Sequence, residues 1–483
     1  MTGETRVRFA PSPTGPLHIG GARSALFNYL FAGNNNGKFI LRIEDTDRDR
    51  SKAEYEEGIK EALKWLGIAW HEGIDAGGDY APYRQMDRLE TYKKYAKRLL
   101  DKGLAYRCYC TEGELEEERN KQVERGETPR YNSRCCNLTP EEEAEVKDSG
   151  RSPVIRFKVP RGRSVIINDL VRDKVSFDTD GIGDFIIMKS GGIPTYNFAV
   201  VLDDYEMRIT HIRRGEEHLT NTAPQVLLYE ALDLHMPEFA HVSLILGKDR
   251  SKMSKRHGET SVDQYRSNGF LPEALVNFLA LLGWSPEGEE EIFTLDELKE
   301  SFSLDRVSKS PAVFDIEKLR WINGCYIRES SSERIAELAL PFLRDAGYRC
   351  DDREWLLSVV SVLKNYLTTV SDITEHMELF VNNLIVVESE EALEDLRGEH
   401  VPVVLDKLLE GLDALFELNE EGAKKVIKGI PKDLGLKPKE VFMPLRIALT
   451  GKKKGPELHQ IIPVLGIENV KERIYYIKET YFK

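Results

Sequence analysis

The start of the chain alternates short strand-like runs with helix-like stripes, and this alternation constrains the fold more than any other feature. Residues 7–10 and 39–43 are apolar runs of strand length. Each run is followed by apolar residues at helical spacing, and the two stripes end at Gly33 and Gly67. Because strand, helix, strand, helix in this order is typical of a parallel sheet covered by helices, we predict an α/β fold.

The remainder of the chain is long enough for further regions, since a domain holds roughly 150 residues and the chain has 483. Residues 91–194 interrupt the alternation with a strongly charged helical pattern and separate strand-like runs, which predicts an α+β insertion. The alternation then returns and includes a predicted strand at 242–246, and from about residue 262 the pattern is helical. The predicted regions are 1–90 together with 195–245, 91–194, 246–330 and 331–483.

The composition excludes several classes of protein. Hydrophobic residues make up 41% and charged residues 31%, which rules out a disordered chain or a collagen-like repeat. The formal net charge of −14 argues against a protein that coats nucleic acid with its whole surface, although a local basic face is sufficient for specific binding. No apolar run approaches the roughly 20 residues that cross a bilayer.

The N-terminus and the cysteines indicate the compartment. The first residues contain no apolar core of a signal peptide. Of the six cysteines, four are clustered and two are isolated, and they are not spread along the chain in the way typical of disulfide-bonded pairs. This usage favours a reducing compartment with a metal site, so we expect a cytoplasmic protein without a membrane partner.

One Pro- and Gly-rich loop has the features of a phosphate cradle. It follows the predicted strand 7–10 and leads through His18 into a helix that starts at Gly20 or Gly21. Free backbone N–H groups and the positive end of the helix dipole attract anions at such a start. A Walker A loop is absent, because 33–39 has the wrong spacing and no hydroxyl after its lysine.

A second loop, 248–258, carries five lysines and arginines directly after an apolar run. Lys252 and Lys255 in this loop can neutralise the charge that grows on a leaving pyrophosphate. Taken alone, the first loop can also be a tight turn, and the second can be a solvated basic loop. Their occurrence in one chain, each at the end of a predicted strand, favours a nucleotide site.

Together these loops resemble the two signature motifs of class I aminoacyl-tRNA synthetases, here His-Ile-Gly-Gly at 18–21 and Lys-Met-Ser-Lys-Arg at 252–256. More segments are similar to the bacterial-type glutamyl-tRNA synthetase family and follow its order: 8–15, 42–47, 83–85, 194–199, 203–204, 214–218, 314–324 and 445–451. The resemblance implies a Rossmann-like catalytic domain, an insertion that binds the acceptor end of tRNA, a region that contacts the stem, and an all-helical anticodon-binding region.

The activity that this resemblance implies has two steps. Glutamate and ATP give glutamyl-adenylate and pyrophosphate, with Mg²⁺ as counter-ion, and the glutamyl group then passes to the 3′ end of the tRNA. The first step depends on positioning and on charge neutralisation at the phosphates. The positions that match the family's ATP site are His18, Gly20, Gly21, Glu217, Lys252, Ser254 and Lys255.

The resemblance also implies a glutamate pocket. Glutamate has two carboxylates and one ammonium, so a selective pocket needs guanidinium groups for the anions and a carboxylate for the cation. Arg8 and Arg214 suit the first role and Glu44 the second, and the remaining positions matching the family's pocket are Ala10, Ser12 and Tyr196. Glutamine would leave a buried guanidinium without its anion, at a cost of about 3–5 kcal/mol.

The clustered cysteines match a zinc site of several family members only in part. Cys108, Cys110 and Cys135 occupy three ligand positions, and Asn137 stands where those members have histidine. Asn137 is a poor zinc ligand, and Cys136 can replace it only if the backbone turns differently. The alternatives are a structural zinc site and a metal-free knuckle of reduced cysteines.

The implied macromolecular partner is tRNA(Glu), and the sequence leaves open whether tRNA(Gln) is charged as well. Phosphate contacts are expected from clustered basic residues: Lys93, Lys94, Lys97, Arg98, Arg161 and Arg163 in the insertion, and Lys424, Lys425, Lys428, Lys452, Lys453 and Lys454 near the C-terminus. We expect the enzyme to act as a monomer.

Three alternative functions are weighed against this one. A short tRNA-modifying relative that glutamylates a base ends soon after the catalytic core, whereas this sequence continues well beyond it. A glutaminyl-tRNA synthetase differs in the first motif region and has a C-terminal part rich in β-barrels, whereas the C-terminal pattern here is helical. A non-catalytic tRNA-binding paralogue is expected to lose His18, Lys255 or Glu44, and all three are present.

Overall fold

The computed structural model describes residues 4–482, apart from the side chain of Lys255. The chain forms two compact units. The first runs to Tyr265 and includes Leu275–Ile316, and the second contains Arg266–Ala274 and the residues from Glu317 onward. The predicted region 246–330 is therefore divided between the two units.

The first unit contains all the strands of the described residues. They are β1 (Arg6–Phe9), β2 (Lys38–Leu41), β3 (Glu72–Gly73), β4 (Ala105–Cys108), β5 (Val154–Phe157), β6 (Ser164–Asp169), β7 (Asp173–Asp178), β8 (Phe185–Met188), β9 (His211–Gly215), β10 (Glu238–Val242), β11 (Ile245–Leu246) and β12 (Ala312–Val313). The single strand predicted at 242–246 is in fact the end of β10 followed by the short β11.

The longer helices between these strands follow the predicted stripes closely. The helices up to residue 301 are α1 (Ile19–Asn34), α2 (Ala53–Trp65), α3 (Leu89–Asp101), α4 (Glu112–Glu124), α5 (Pro140–Asp148), α6 (Tyr196–Glu206), α7 (Leu219–Leu232), α8 (Val262–Ser267), α9 (Pro272–Leu281) and α10 (Leu295–Ser301). Helix α1 begins before the predicted glycines because the Nδ1 atom of His18 accepts a hydrogen bond from the backbone N–H of Gly20 and caps it.

A parallel sheet forms the centre of the first unit. Strands β1, β2 and β3 pair in that order in parallel, and β9, β10 and β6 form a second parallel set. The two sets meet where the N–H of Thr210, just before β9, donates to the carbonyl of Arg6 at 2.9 Å. The chain order changes direction between β1 and β9, and open α/β sheets bind ligands at the carboxyl ends of strands at such a point. The predicted α/β fold with a Rossmann-like sheet is confirmed.

The segment predicted as an insertion has two parts in the structure. Strands β4, β5 and β8 form a separate antiparallel sheet. Strand β6 instead pairs with β10, and β7 pairs with β6, so this hairpin extends the central sheet. As a result, residues from the predicted insertion 91–194 reach the back of the site described below.

The second unit is helical in the described residues, as predicted. Its helices are α11 (Ile316–Glu329), α12 (Ser332–Asp345), α13 (Arg353–Leu363), α14 (Ile373–Val381), α15 (Glu390–Leu396), α16 (Val401–Asp413), α17 (Glu420–Leu434), α18 (Pro438–Thr450), α19 (Leu458–Leu465) and α20 (Ile467–Tyr481). Their cores are formed by apolar stripes such as Val404, Leu405, Leu408 and Leu412 of α16. None of the described helices has both the length and the apolar character to span a membrane.

Candidate active site

A cavity of about 350 Å³ opens at the carboxyl ends of β1 and β9, where the strand order changes direction. Ten of the residues predicted from the sequence line it: Arg8, Ala10, Ser12, His18, Gly20, Gly21, Glu44, Tyr196, Arg214 and Glu217. Lys252 and Ser254 do not line this cavity, and the side chain of Lys255 lies outside the described part of the chain. The fold therefore brings together all six residues predicted for the amino acid and four of the seven predicted for the nucleotide.

The His18 ring has a defined proton position. Its Nδ1 accepts from the N–H of Gly20 at 3.1 Å, so the proton of the neutral ring is on Nε2. Burial lowers the pKa of His18, and the nearby charge of Lys252 lowers it further. His18 is thus a neutral N–H donor at the positive end of α1, and Lys252 lies close enough to influence it.

A buried ion-pair network forms one wall of the cavity. Arg8 makes two hydrogen bonds to Asp204, at 3.0 and 3.2 Å. Arg42 also binds Asp204, at 2.7 Å, and binds Glu44 at 2.9 Å. Burial has the largest effect on Glu44 and raises its pKa, although Arg42 opposes that shift. The positive charge of Arg8, predicted to bind a substrate anion, is therefore already balanced by a protein carboxylate.

Asp204 was identified in the sequence only as part of a matching segment, and its role as the partner of Arg8 was not predicted. The two residues are 196 positions apart and meet through the packing of α6 against the sheet. The adjacent acid in the sequence, Asp203, accepts hydrogen bonds from other residues, including Arg88 and Tyr92, although Arg42 also lies 3.8 Å from it. The chain therefore uses the Asp-Asp pair to hold two different groups of buried side chains.

Arg214 differs from Arg8 because its charge has no protein counter-ion. Its guanidinium donates to Tyr196 Oη at 3.3 Å, Thr222 Oγ1 at 2.8 Å and Gln225 Oε1 at 2.7 Å, all of them neutral acceptors. Its Nε donates to the His241 ring at 3.2 Å. Among the described residues, no carboxylate lies within ion-pair distance of Arg214. Burial lowers its pKa, as expected for a cation in a site of low polarity. Such a group is prepared to receive an anion.

The side chain of Glu217 folds back against the backbone of Gly215 at the end of β9. A Cβ atom at position 215 would collide with the carboxylate of Glu217, so this close approach requires glycine. The carboxylate is thereby held at the rim of the cavity beside the start of α1.

The basic loop 248–258 is organised by His257. The ring accepts from the backbone N–H of Ser254 at 3.0 Å, and its Nε2 contacts Ser251 Oγ and Asp249 Oδ1, both at 3.1 Å. After the loop, the N–H of Ile19 donates to the carbonyl of Thr260 at 2.8 Å. The two loops recognised in the sequence are therefore joined through the backbone.

The cysteine cluster is assembled in the antiparallel part of the first unit. The Sγ atoms of Cys108, Cys110 and Cys135 all lie within 4.8 Å of one another. Cys136 is not part of this group, so the structure does not support it as the fourth ligand. The Tyr131 hydroxyl lies 3.3 Å from Cys108 Sγ and 3.5 Å from Cys110 Sγ, a position that the sequence analysis missed.

The electrostatics of this cluster favour a thiolate. Hydrogen bonds from Cys135 and from the Tyr131 hydroxyl lower the pKa of Cys108. Three sulfur donors and one phenol oxygen converge, and thiolate sulfur is a preferred zinc donor. The donor set therefore fits zinc, and the cluster is remote in sequence from the loops that line the cavity.

The basic residues expected to bind tRNA are exposed except for the half-buried Lys453, and several of them have acidic neighbours. Lys93 pairs with Glu90 at 2.7 Å, and Lys97 pairs with Asp101 at 2.6 Å. Lys453 pairs with both Glu391 and Asp395. Exposed pairs of this kind contribute little stability and can exchange for phosphate contacts.

Comparison with known proteins places this site in a class. Residues 4–321 match the family of class I tRNA synthetases (E and Q), catalytic domain. Residues 334–477 match the anticodon binding domain family. The fold and the cavity thus occur in a chain that has the catalytic and anticodon domains of a class I tRNA synthetase.

Curated relatives define the family more narrowly. The chain is 59% identical to the glutamate–tRNA ligase of Carboxydothermus hydrogenoformans over 97% of this chain and 98% of the relative. It is 57% identical to the glutamate–tRNA ligase of Desulforamulus reducens, with the same coverage of both chains. The crystal structure of a glutamate–tRNA ligase from Elizabethkingia meningosepticum in complex with its amino acid superposes with a TM-score of 0.90 at 38% identity, covering 99% of this chain and 100% of that one. This chain belongs to the glutamate–tRNA ligase family of class I tRNA synthetases.

Proposed function

We propose that this chain activates L-glutamate with ATP and transfers the glutamyl group to the 3′ end of tRNA. One observation carries the choice of amino acid. Arg214 is a buried cation that only neutral groups hold, in the same cavity as the capped start of α1. A side-chain carboxylate supplies the missing counter-charge, and the amide of glutamine does not. This favours glutamate over the glutaminyl alternative.

The substrate ammonium is bound by Glu44. This carboxylate is held by Arg42 and faces the cavity that Arg8 and Arg214 also line. Because Arg8 is paired with Asp204, its contribution to substrate binding is smaller than that of Arg214. Ala10, Ser12 and Tyr196 complete the pocket and set its size.

The adenylation step follows from this placement. An oxygen of the substrate α-carboxylate attacks the α-phosphorus of ATP, the bond to the bridging oxygen breaks, and pyrophosphate leaves with the electron pair. The N–H group of Gly21, the Nε2–H of His18 and the ammonium of Lys252 stabilise the phosphate oxygens. The roles of Ser254 and Lys255 in the same loop stay predictions, and Glu217 holds the nucleotide. Mg²⁺, bound with the ATP, neutralises phosphate charge.

The second step transfers the glutamyl group to a hydroxyl of the terminal ribose of tRNA, and AMP leaves. The acceptor end is bound by the predicted insertion, and the helical unit binds the anticodon. The exposed lysines in these regions provide phosphate contacts. The chain is proposed to charge tRNA(Glu) as a monomer in the cytoplasm, a reducing compartment that agrees with its six free cysteine thiols.

The cysteine cluster is proposed to hold a structural zinc ion. Cys108, Cys110 and Cys135 supply sulfur, and the Tyr131 hydroxyl supplies the fourth donor in place of the predicted Cys136. The metal would stabilise the segment that joins β4 to the loop before Cys135, and it takes no part in adenylation.

The test is glutamate-dependent exchange of pyrophosphate into ATP, run with and without defined tRNAs, followed by aminoacylation of tRNA(Glu) and tRNA(Gln) transcripts. We expect exchange with glutamate and none with glutamine at equal concentration. Glutamine-dependent exchange, or the absence of exchange with every tRNA tested, would overturn the proposal. Aminoacylation of the second transcript decides whether tRNA(Gln) is also a substrate.

A further inference from the structure

Two buried residues that the sequence analysis did not select lie directly behind Arg214. His241 in β10 is 0% exposed, and Asp169 at the end of β6 is 5% exposed. The Nδ1 atom of His241 lies 2.6 Å from Asp169 Oδ2, and the Nε2 atom lies 3.2 Å from Arg214 Nε. Asp169, His241 and Arg214 therefore form a continuous chain of hydrogen bonds that ends in the cavity.

The residues at the two ends of this series of hydrogen bonds determine which group donates in each bond. Arg214 Nε–H can only donate, so His241 Nε2 must accept. The proton of the neutral ring is then on Nδ1 and is donated to Asp169. Asp169 Oδ1 also accepts from the backbone N–H groups of Val171 and Arg172, at 2.9 and 2.8 Å. The carboxylate is thus fixed on both oxygens and keeps the ring in one tautomer.

The charge state of the pair agrees with this geometry. Burial opposes the ionisation of Asp169, but its hydrogen bonds outweigh burial and lower its pKa. Burial lowers the pKa of His241, and the hydrogen bond to Asp169 opposes that effect. The cations near His241 are Arg214 itself and Arg172, whose Nε donates to the His241 carbonyl at 3.3 Å. The neutral Thr222 hydroxyl also lies 3.0 Å from the ring Nε2 and can donate to it. Both cations disfavour a charged ring.

We propose that Asp169 and His241 are positioning residues that aim Arg214 at the side-chain carboxylate of the amino acid. This inference rests on the proposed function and extends it to the residues that determine glutamate specificity. A carboxylate in direct contact with Arg214 would orient it equally well, but it would also neutralise it. A neutral ring acceptor fixes the plane of the guanidinium and leaves its charge for the substrate. The ionised Asp169 does not contact Arg214 itself and instead fixes the tautomer of the His241 ring.

The matched variants are His241→Gln and His241→Asn. The amide oxygen of Gln can replace Nε2 as the acceptor for Arg214, whereas the shorter Asn retains only a group near Nδ1, which can still donate to Asp169. A third variant, Asp169→Asn, offers an amide donor to Nδ1, which favours the opposite tautomer and turns an N–H of the ring toward Arg214. His211→Gln is the control, because His211 lies at the other end of β9 and has a carboxylate neighbour in Glu238.

The assay measures KM for glutamate, KM for ATP and kcat in pyrophosphate exchange, together with kcat/KM for glutamate relative to glutamine. We expect His241→Asn and Asp169→Asn to raise the glutamate KM about 10- to 100-fold and to lower the preference for glutamate, with the ATP KM unchanged. His241→Gln should lie within a few-fold of the wild type, and His211→Gln should equal it.

Several results would overturn the inference. A wild-type glutamate KM in His241→Asn shows that the ring does not position Arg214. An equal rise of the glutamate and ATP KM in both His241 variants shows a general structural role. If the wild-type protein has no glutamate-dependent exchange, the proposed function itself fails. This result is distinguished from the first two because it is obtained with the wild-type protein alone. A crystal structure of Asp169→Asn with Arg214 in its original position would also contradict the proposed mechanism.

Discussion

Replacing Arg214 by alanine tests the electrostatic basis of the site most directly. Arg214 is held by four neutral groups and has no carboxylate partner among the described residues. Its removal therefore takes a cation away from the substrate without leaving a protein anion unpaired. We expect the loss to appear in glutamate activation and hardly at all in folding stability.

The magnitude follows from the burial of the ion pair. Breaking a buried pair by removing one partner costs about 3–5 kcal/mol. At about 1.4 kcal/mol for each factor of ten, kcat/KM for glutamate should fall roughly 140- to 3,700-fold. Because the buried charge is itself desolvated, as its lowered pKa indicates, the free energy of unfolding should change by less than about 1 kcal/mol.

Arg8→Ala provides the contrast within the same cavity. It removes two hydrogen bonds from the fully buried Asp204 and leaves Arg42 as its remaining cation. We expect a loss of about 3–5 kcal/mol in the free energy of unfolding. Urea unfolding monitored by circular dichroism and pyrophosphate exchange at varied glutamate concentration measure the two effects. The reasoning is refuted if Arg214→Ala is as destabilised as Arg8→Ala, or if it retains near-normal dependence on glutamate.

Four further outcomes are expected. Burial raises the pKa of Glu44, and only the ionised form of Glu44 binds the substrate ammonium. As the pH is lowered, kcat/KM for glutamate should therefore begin to decline at a pH above that expected for a free glutamate side chain. A flat profile down to pH ~4.3 in folded protein would contradict this. Elemental analysis should find about one zinc ion per chain, and the Tyr131→Phe variant should lose zinc to a chelator faster than the wild type does. Wild-type protein that is purified without chelator and contains no zinc would contradict the proposed zinc site. Gly215→Ala should raise the ATP KM by roughly tenfold because its Cβ displaces the Glu217 carboxylate, and an unchanged ATP KM would argue against that role. The logarithm of tRNA affinity should fall linearly with the logarithm of salt concentration, by about 0.7–0.9 for each phosphate contact, whereas a slope near zero would exclude the proposed lysine contacts.

The local parts of the site were predictable because each is contained in one short segment. The strand, the Pro- and Gly-rich loop and the capped helix follow one another directly between Arg6 and Asn34. Strand and helix periodicity places such elements to within a few residues, and the end of a strand indicates where a ligand binds. The resemblance of the segments around His18 and Lys252 then supplied the chemistry.

Two features show that neighbours in the sequence need not be neighbours in the fold. Cys136 was considered as a fourth zinc ligand because it is adjacent to Cys135, and that role stays a prediction. The clustered sulfurs are those of Cys108, Cys110 and Cys135, and the Tyr131 hydroxyl from the preceding loop lies against them. The predicted strand at 242–246 was divided because β10 and β11 belong to different sheets. In each case adjacency in the sequence was a poor guide to contact.

The order of amino acids is enough to specify the chemical groups of the site and their local geometry. These are a helix start suited to phosphate, two arginines and a glutamate for an amino acid, and a helical C-terminal part. Which of the two arginines can bind an anion depends instead on the packing of the folded chain. Arg8 and Arg214 are the same residue type, but the packing of α6 gives Arg8 a carboxylate partner, whereas the pairing of β9 with β10 places the neutral His241 beside Arg214. The charge that an arginine offers to a ligand depends on these partners. The order of strands in the sheet determines which partners an arginine has, because it brings distant segments of the chain together.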